Sequence, residues 1–147
     1  MAGLLPRKAK TEEHGTPRSI FNPLNVEFGF TLDAAASDKN HKCPKYYTKA
    51  QDGTKQSWAS ETVFCNPPYN VNDLLKFTQK GVFEARKNWV TSVFLVPVKS
   101  DQEWWHLLWN DTTVCVEYRW IRGRVKYEGN DNSAGFPSVI IVIEPKI

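Results

Sequence analysis

Apolar positions along this chain alternate between helical recurrence and short unbroken runs, a pattern that predicts helices interleaved with buried strands. Ile20, Phe21, Leu24 and Phe28 recur at near-helical spacing behind Thr16-Pro17, which has the form of a helix cap followed by proline at the first helical position. Pro23 interrupts the pattern, so the expectation is a short bent helix or two turns meeting at Asn22-Pro23. Phe28 to Asp33 reads as a short buried strand ending in an acid, with the small residues Ala34, Ala35 and Ala36 after it. The polar, lysine-rich stretch 37–60 offers a short strand at Tyr46-Tyr47, a turn at Asp52-Gly53 and a closing Trp58. Thr62 to Cys65 is a compact apolar strand that stops at Asn66-Pro67-Pro68-Tyr69, because proline cannot donate to a sheet ladder.

Beyond that break, Asn72 or Asp73 is positioned to cap a helix carrying Leu74, Leu75, Thr78, Val82 and Ala85. Val90 to Val96 is continuously apolar, as in a strand covered on both faces. Ser100-Asp-Gln-Glu103 has the capping-box pattern, and Trp104, Leu107 and Leu108 follow at helical spacing. From Glu117 to Tyr127 strict alternation predicts a half-exposed strand with Tyr118, Trp120, Arg122, Arg124 and Lys126 on one face. Loop residues around Gly129 and Gly135 separate it from a buried strand over Val139 to Ile143. The order predicts a three-layer α/β fold, with a mostly parallel sheet and a C-terminal antiparallel hairpin. In such sheets ligands sit beyond the C-terminal strand ends, where Asp33 and Asn66 to Tyr69 are expected.

A length of 147 residues suits one domain, and 41% apolar with 13% aromatic residues is enough to build a core. Residues 1–13 mix both charges without periodicity and read as a flexible N-terminal arm, with a single domain over 14–147. No run approaches the roughly 18 to 20 apolar residues of a membrane span, which leaves the cytoplasm as the expected location. Three widely spaced cysteines suggest neither a disulfide framework nor a metal site. The net charge of +3 is compatible with an anionic partner but does not demand one.

The strand-terminating tetrapeptide carries the candidate chemistry. An amino group on an aromatic ring has a delocalised lone pair and is a poor nucleophile toward an electrophilic methyl group. The carboxamide oxygen of Asn66 and the carbonyl of Pro67 are each able to accept one N–H of such a group, favouring a pyramidal, nucleophilic nitrogen. Pro67 and Pro68 hold the carbonyl without competing donors, and the Tyr69 ring is suited to stack on a planar base.

Asn66 to Tyr69 resembles the catalytic motif of amino-group DNA methyltransferases, and the chain from about 14 to 145 resembles the short phage and prophage DNA N6-adenine methyltransferases. Thr16-Pro17, Glu27 to Ser37, Cys43 with Tyr46-Tyr47-Thr48, Asp52-Gly53 with Trp58, Val96-Pro97 before Trp104-Trp105-His106, Ile121 to Arg124 and Ala134 to Ser138 carry the longer resemblance. It implies a class I, Rossmann-like fold, S-adenosyl-L-methionine as methyl donor and double-stranded DNA as partner, with an adenine flipped from the duplex. Asn66, Pro67, Pro68 and Tyr69 are then the expected catalytic residues, and Cys65 is assigned to packing.

On the donor side the resemblance implies contacts from Asp33 and Ala34, from Thr16-Pro17, and from Asp52 and Trp58. Here Asp-Ala-Ala-Ala-Ser stands in place of a glycine-rich loop. A helix cap at Thr16, a turn residue at Asp52 and a core packing role for Trp58 explain the same residues without a ligand. Arg122, Arg124 and Lys126 are expected to touch DNA phosphates, although a solvated edge strand guarded by charges shares that pattern. Target specificity would come from residues 70–73 and 128–137, from the N-terminal arm, or from the second subunit of a homodimer. The competing functions are N4-cytosine methylation, methylation of RNA or of a protein glutamine amide, and a nucleic-acid-binding module whose donor site has degenerated.

Overall fold

The computed structural model describes residues 14–147; the expected arm over 1–13 lies outside the described residues. Helix α1 (Arg18–Phe28) leads into strand β1 (Leu32–Ala36), then β2 (Lys45–Thr48), a short 3-10 turn (Gly53–Lys55) and β3 (Val63–Cys65). Helix α2 (Val71–Asn88), strand β4 (Ser92–Pro97), helix α3 (Glu103–Trp109) and strands β5 (Val114–Trp120) and β6 (Ser138–Pro145) complete the order. Among the described residues these strands form one sheet in the order β2-β1-β3-β4-β6-β5. The first four in that order run parallel, and β6 is antiparallel to both β4 and β5. This is the mostly parallel, Rossmann-like sheet with a C-terminal antiparallel hairpin that the sequence predicts.

Alternation along the strands divides the core. Val93 and Leu95 of β4 face Phe21 and Leu24 of α1 together with Phe64, Ile140 and Val142. Phe94 and Val96 face the other way, into a cluster with Leu74 and Phe77 of α2 and Trp104 of α3. Helices therefore cover both faces, and the sheet's central strands have no polar side. Strand order reverses where β1 lies between β2 and β3, so the C-terminal ends of β1 and β3 flank a switch point.

Several boundaries differ from expectation, each for a local reason. Helix α1 continues through Pro23; Ser19, whose carbonyl loses its helical partner, lies on the exposed side. Its cap position is Pro17 and not Thr16, and the helix ends on Gly29 in the left-handed region at φ 68°. Asp33 is the second residue of β1 rather than its last, paired in register with Tyr46 and Phe64. Asn70, not Asn72 or Asp73, caps α2, with its Oδ1 accepting the Asp73 backbone N–H at 2.9 Å. Phe77 takes the buried position expected of Leu75. Helix α3 has no capping box: Ser100 offers its carbonyl to His106 Nε2 at 2.6 Å, and Leu107 is exposed. Strand β5 ends at Trp120, so Arg122, Arg124 and Lys126 do not share a strand face but lie exposed on the connection to β6.

Candidate active site

The chain leaves β3 at Cys65 and turns through Asn66, Pro67 and Pro68 directly above the switch point. The turn forms one wall of a cleft of about 540 Å³, whose opposite wall is the end of β1, Ala34 to Ser37. Thr48, Lys49, Asp52 and Gly53 close one end, while Asp73, Lys76 and Phe77 of α2 contribute another side. The floor is tight because Gly53 packs against β1: a Cβ there would lie 2.0 Å from the Ala34 carbonyl oxygen. Trp58 is fully buried behind this turn and holds it by donating Nε1–H to the Gly53 carbonyl at 3.0 Å.

Asp52 stands at the cleft with φ 55°, its Oδ1 accepting from the Thr54 backbone N–H at 3.0 Å and the Thr54 hydroxyl at 2.6 Å. The Thr54 hydroxyl bond is the main reason its carboxyl sits below the ordinary range. It remains an anionic acceptor facing Lys49 and Lys76 in the same cleft. Asp33 is buried, and its Oδ2 accepts the Lys42 backbone N–H at 2.9 Å. Burial raises its pKa, opposed by the N–H groups of Lys42 and Ala35. It is not among the residues that line the cleft; its geometry ties the segment after β1 to the strand.

Asn66 is held on three sides. Its Nδ2 donates to the His14 carbonyl and, at 3.0 Å, to Thr16 Oγ1, while Oδ1 accepts the Tyr69 hydroxyl at 2.6 Å. The same hydroxyl lies 3.0 Å from the Leu95 carbonyl and 3.1 Å from the Tyr127 hydroxyl, which in turn meets Ser138 Oγ at 2.7 Å. Burial, then the Tyr127 neighbour, pushes the Tyr69 phenol well above its ordinary pKa, so it stays protonated. Beside Tyr69 is a smaller cavity of about 200 Å³, bounded by His14, Pro97, Lys99 and Phe136. The His14 imidazole lies stacked on the Tyr69 ring at 4.8 Å and 26°, with Phe136 set edgewise to both. An aromatic slot thus adjoins the cleft, with Asn66 between them.

The family model for DNA N-6-adenine-methyltransferase (Dam) matches residues 6–145. The chain belongs to the Dam family. A DNA N-6-adenine-methyltransferase of Escherichia phage T1 is 32% identical over 91 residues, an alignment covering 60% of this chain and 37% of that protein. The chain thus spans well under half the length of the curated relative it matches. A putative methyltransferase from Thermoplasma acidophilum superposes with a TM-score of 0.43 at 14% identity, over 90% of this chain and 65% of that one.

Within this Dam-family chain, Ala34, Asp52, Asn66, Pro67 and Pro68 meet at one cleft, and Tyr69 stands at the adjoining slot. Thr16 bonds Asn66, Asp33 ties down the segment after β1, Trp58 holds the Gly53 turn and Pro17 starts α1; none of the four is among the cleft's lining residues. Arg122, Arg124 and Lys126 are exposed on the connection that also carries Phe136, which bounds the slot, and the buried Tyr127, whose hydroxyl meets that of Tyr69. His14, Tyr127 and Phe136 are site residues that sequence reasoning missed. Their signal was present only for Phe136, inside the family-like Ala134 to Ser138 segment. Cys65 is fully buried in β3, and burial raises its thiol pKa well above the ordinary value, which suits packing and not nucleophilic attack.

Proposed function

We propose that this chain transfers a methyl group from S-adenosyl-L-methionine to the N6 amino group of adenine in double-stranded DNA. The observation that carries the reading is the place of Asn66: its carboxamide lines a cleft large enough for a nucleoside-sized donor and bonds the hydroxyl of Tyr69, on whose ring a planar nitrogen heterocycle, His14, is already stacked.

The donor fits the cleft by its chemistry. Asp52 is an ionised acceptor suited to ribose hydroxyls, and the small Ala34 to Ala36 wall allows the close backbone approach that a glycine-rich loop would otherwise supply. Lys49 and Lys76 offer cations to a carboxylate. When bound, the donor supplies an electrophilic methyl group. Asp33 and Trp58 act at one remove, by fixing the end of β1 and the Gly53 turn.

On the acceptor side, Tyr69 and Phe136 present one face and one edge to a flipped base that takes the place of the His14 ring. Asn66 Oδ1 and the Pro67 carbonyl accept the two amino hydrogens, which localises the nitrogen lone pair toward the donor. Asn66 Oδ1 has two lone pairs, so the Tyr69 hydroxyl does not exclude the base. Arg122, Arg124 and Lys126 hold the phosphates around the flipped nucleotide.

The test is incubation of the purified protein with S-adenosyl-L-methionine and unmethylated DNA, followed by nucleoside mass spectrometry, with Asn66→Ala alongside. N6-methyladenine that disappears in the variant is the expected result. N4-methylcytosine would keep the mechanism and change the base. Bound donor without either product would redirect the site to RNA or protein amides, and absence of donor binding would favour a nucleic-acid-binding module.

A further inference from the structure

We propose that Thr16 is a positioning residue for the acceptor amide: its hydroxyl, together with the His14 carbonyl, decides which end of the Asn66 carboxamide faces the base. The inference deepens the reading of Asn66 given above and rests on it. Both N–H bonds of Asn66 Nδ2 are used on one side, toward His14 O and Thr16 Oγ1 at 3.0 Å, which leaves Oδ1 toward Tyr69 and the slot. Rotating the amide by half a turn would set Oδ1 against the His14 carbonyl, acceptor to acceptor. It would also aim two N–H donors at an amino group that needs acceptors. Thr16 is 3% exposed, and what its hydroxyl meets is Asn66.

The rest of the segment is built to keep Thr16 in that place. The Gly15 carbonyl accepts the Glu128 backbone N–H at 2.8 Å. A Cβ on Gly15 would lie 2.5 Å from Asn40 Nδ2 and 2.9 Å from Glu128 Cβ, so a larger residue there would have to displace both neighbours. Lys42, almost buried, joins the two sides by donating to Glu128 Oε2 at 2.9 Å and Asn40 Oδ1 at 3.0 Å. Pro17 then fixes the backbone at φ −66° as α1 begins. The His14 carbonyl and the Thr16 hydroxyl therefore reach Asn66 from a clamped strap.

The experiment compares Thr16→Val, which keeps the shape and loses the acceptor, with Thr16→Ser, which keeps the oxygen. Methylation kinetics on DNA should show kcat reduced about tenfold in the valine variant, the effect of losing one hydrogen bond. The KM for S-adenosyl-L-methionine should be unchanged, and serine should restore kcat. A donor KM that rises in the valine variant while kcat holds would overturn the proposal in favour of a donor contact. A second readout needs no activity: the Asn66 side-chain NH₂ resonances in nitrogen-15 spectra, assigned by their loss in Asn66→Ala. Faster solvent exchange of that pair in Thr16→Val but not in Thr16→Ser is expected, and an unaltered pair would overturn the proposal. If the wild-type protein methylates no DNA, the base assignment fails while these resonances still decide the orientation of the amide. Thr16→Ala makes the same comparison should the valine variant not fold.

Discussion

At the scale of single residues, the site depends on contacts that tolerate little change. Gly53→Ala would press a Cβ to 2.0 Å from the Ala34 carbonyl oxygen, and a backbone atom has no rotamer in which to escape. The variant should lose about 1–3 kcal/mol of stability, the usual cost of overpacking, and should raise the donor KM because the cleft floor must open. Urea unfolding and donor titration together check this; a stable variant with unchanged donor binding would mean that the turn yields without moving the cleft. His14→Ala separates two roles of one residue. The ring leaves the slot but the carbonyl that holds Asn66 remains. Binding of a duplex with 2-aminopurine at the target position should tighten several-fold, as a competitor for Tyr69 is removed. Asn66 to Tyr69 was legible in the sequence because four specified residues end an apolar strand. His14 was not legible: it reaches Asn66 and Tyr69 across more than fifty positions, a separation that only the strand order closes.

At the scale of elements, helix α2 carries a titratable anchor. Glu84 is 2% exposed and accepts from Lys80 Nζ at 2.7 Å and Asn88 Nδ2 at 2.8 Å, with the Trp58 backbone N–H nearby. Burial raises its pKa, but the bonds from Asn88 and Lys80 outweigh burial and leave it below the ordinary value of 4.5. A carboxyl whose folded pKa is depressed stabilises the protein above its unfolded pKa, and that contribution fades as the pH falls through the folded pKa. Glu84→Gln should therefore cost about 1–3 kcal/mol at pH 7 and flatten the loss of stability below about pH 4.5, as urea midpoints across pH 3–7 would show. An equal slope in both proteins would assign the acid sensitivity elsewhere. The elements themselves were largely legible, because buried parallel strands and amphipathic helices write different periods into the chain. Boundaries were less so. Residues 121–127 alternate as a strand does, yet Gly123 at φ 77° turns the chain out of the sheet, and Val125 and Tyr127 are buried against α1's side of the core instead. Asp33 looked like a strand end because the alanines after it carry no strong period, although they continue β1.

At the scale of the whole molecule, the connection between β5 and β6 carries both a wall of the slot and the exposed cations Arg122, Arg124 and Lys126. It is anchored where the Ala134 backbone N–H donates to the Val125 carbonyl at 2.8 Å and where Tyr127 bonds Ser138. From those anchors it delivers Phe136 to the slot, with the buried Tyr127 in ring contact with it, while Arg122, Arg124 and Lys126 are left exposed on the same connection. On the proposed function, cations on the connection that carries Phe136 are placed to meet the phosphates on either side of an extruded nucleotide, which a sheet-edge guard would not require. On the same reading, the net charge of +3 is a modest surplus, and a few local contacts supply the electrostatic term. Replacing Arg122 and Arg124 together with alanine should weaken DNA binding at low salt and lower the slope of log affinity against log salt by about 0.9 for each phosphate contact removed. Donor affinity should be unaltered, because neither arginine lines the cleft. Fluorescence anisotropy over a salt series measures both affinity and slope. A slope equal to that of the wild-type protein would return these residues to the role of edge charges and move the phosphate contacts to Lys99, at the other margin of the slot.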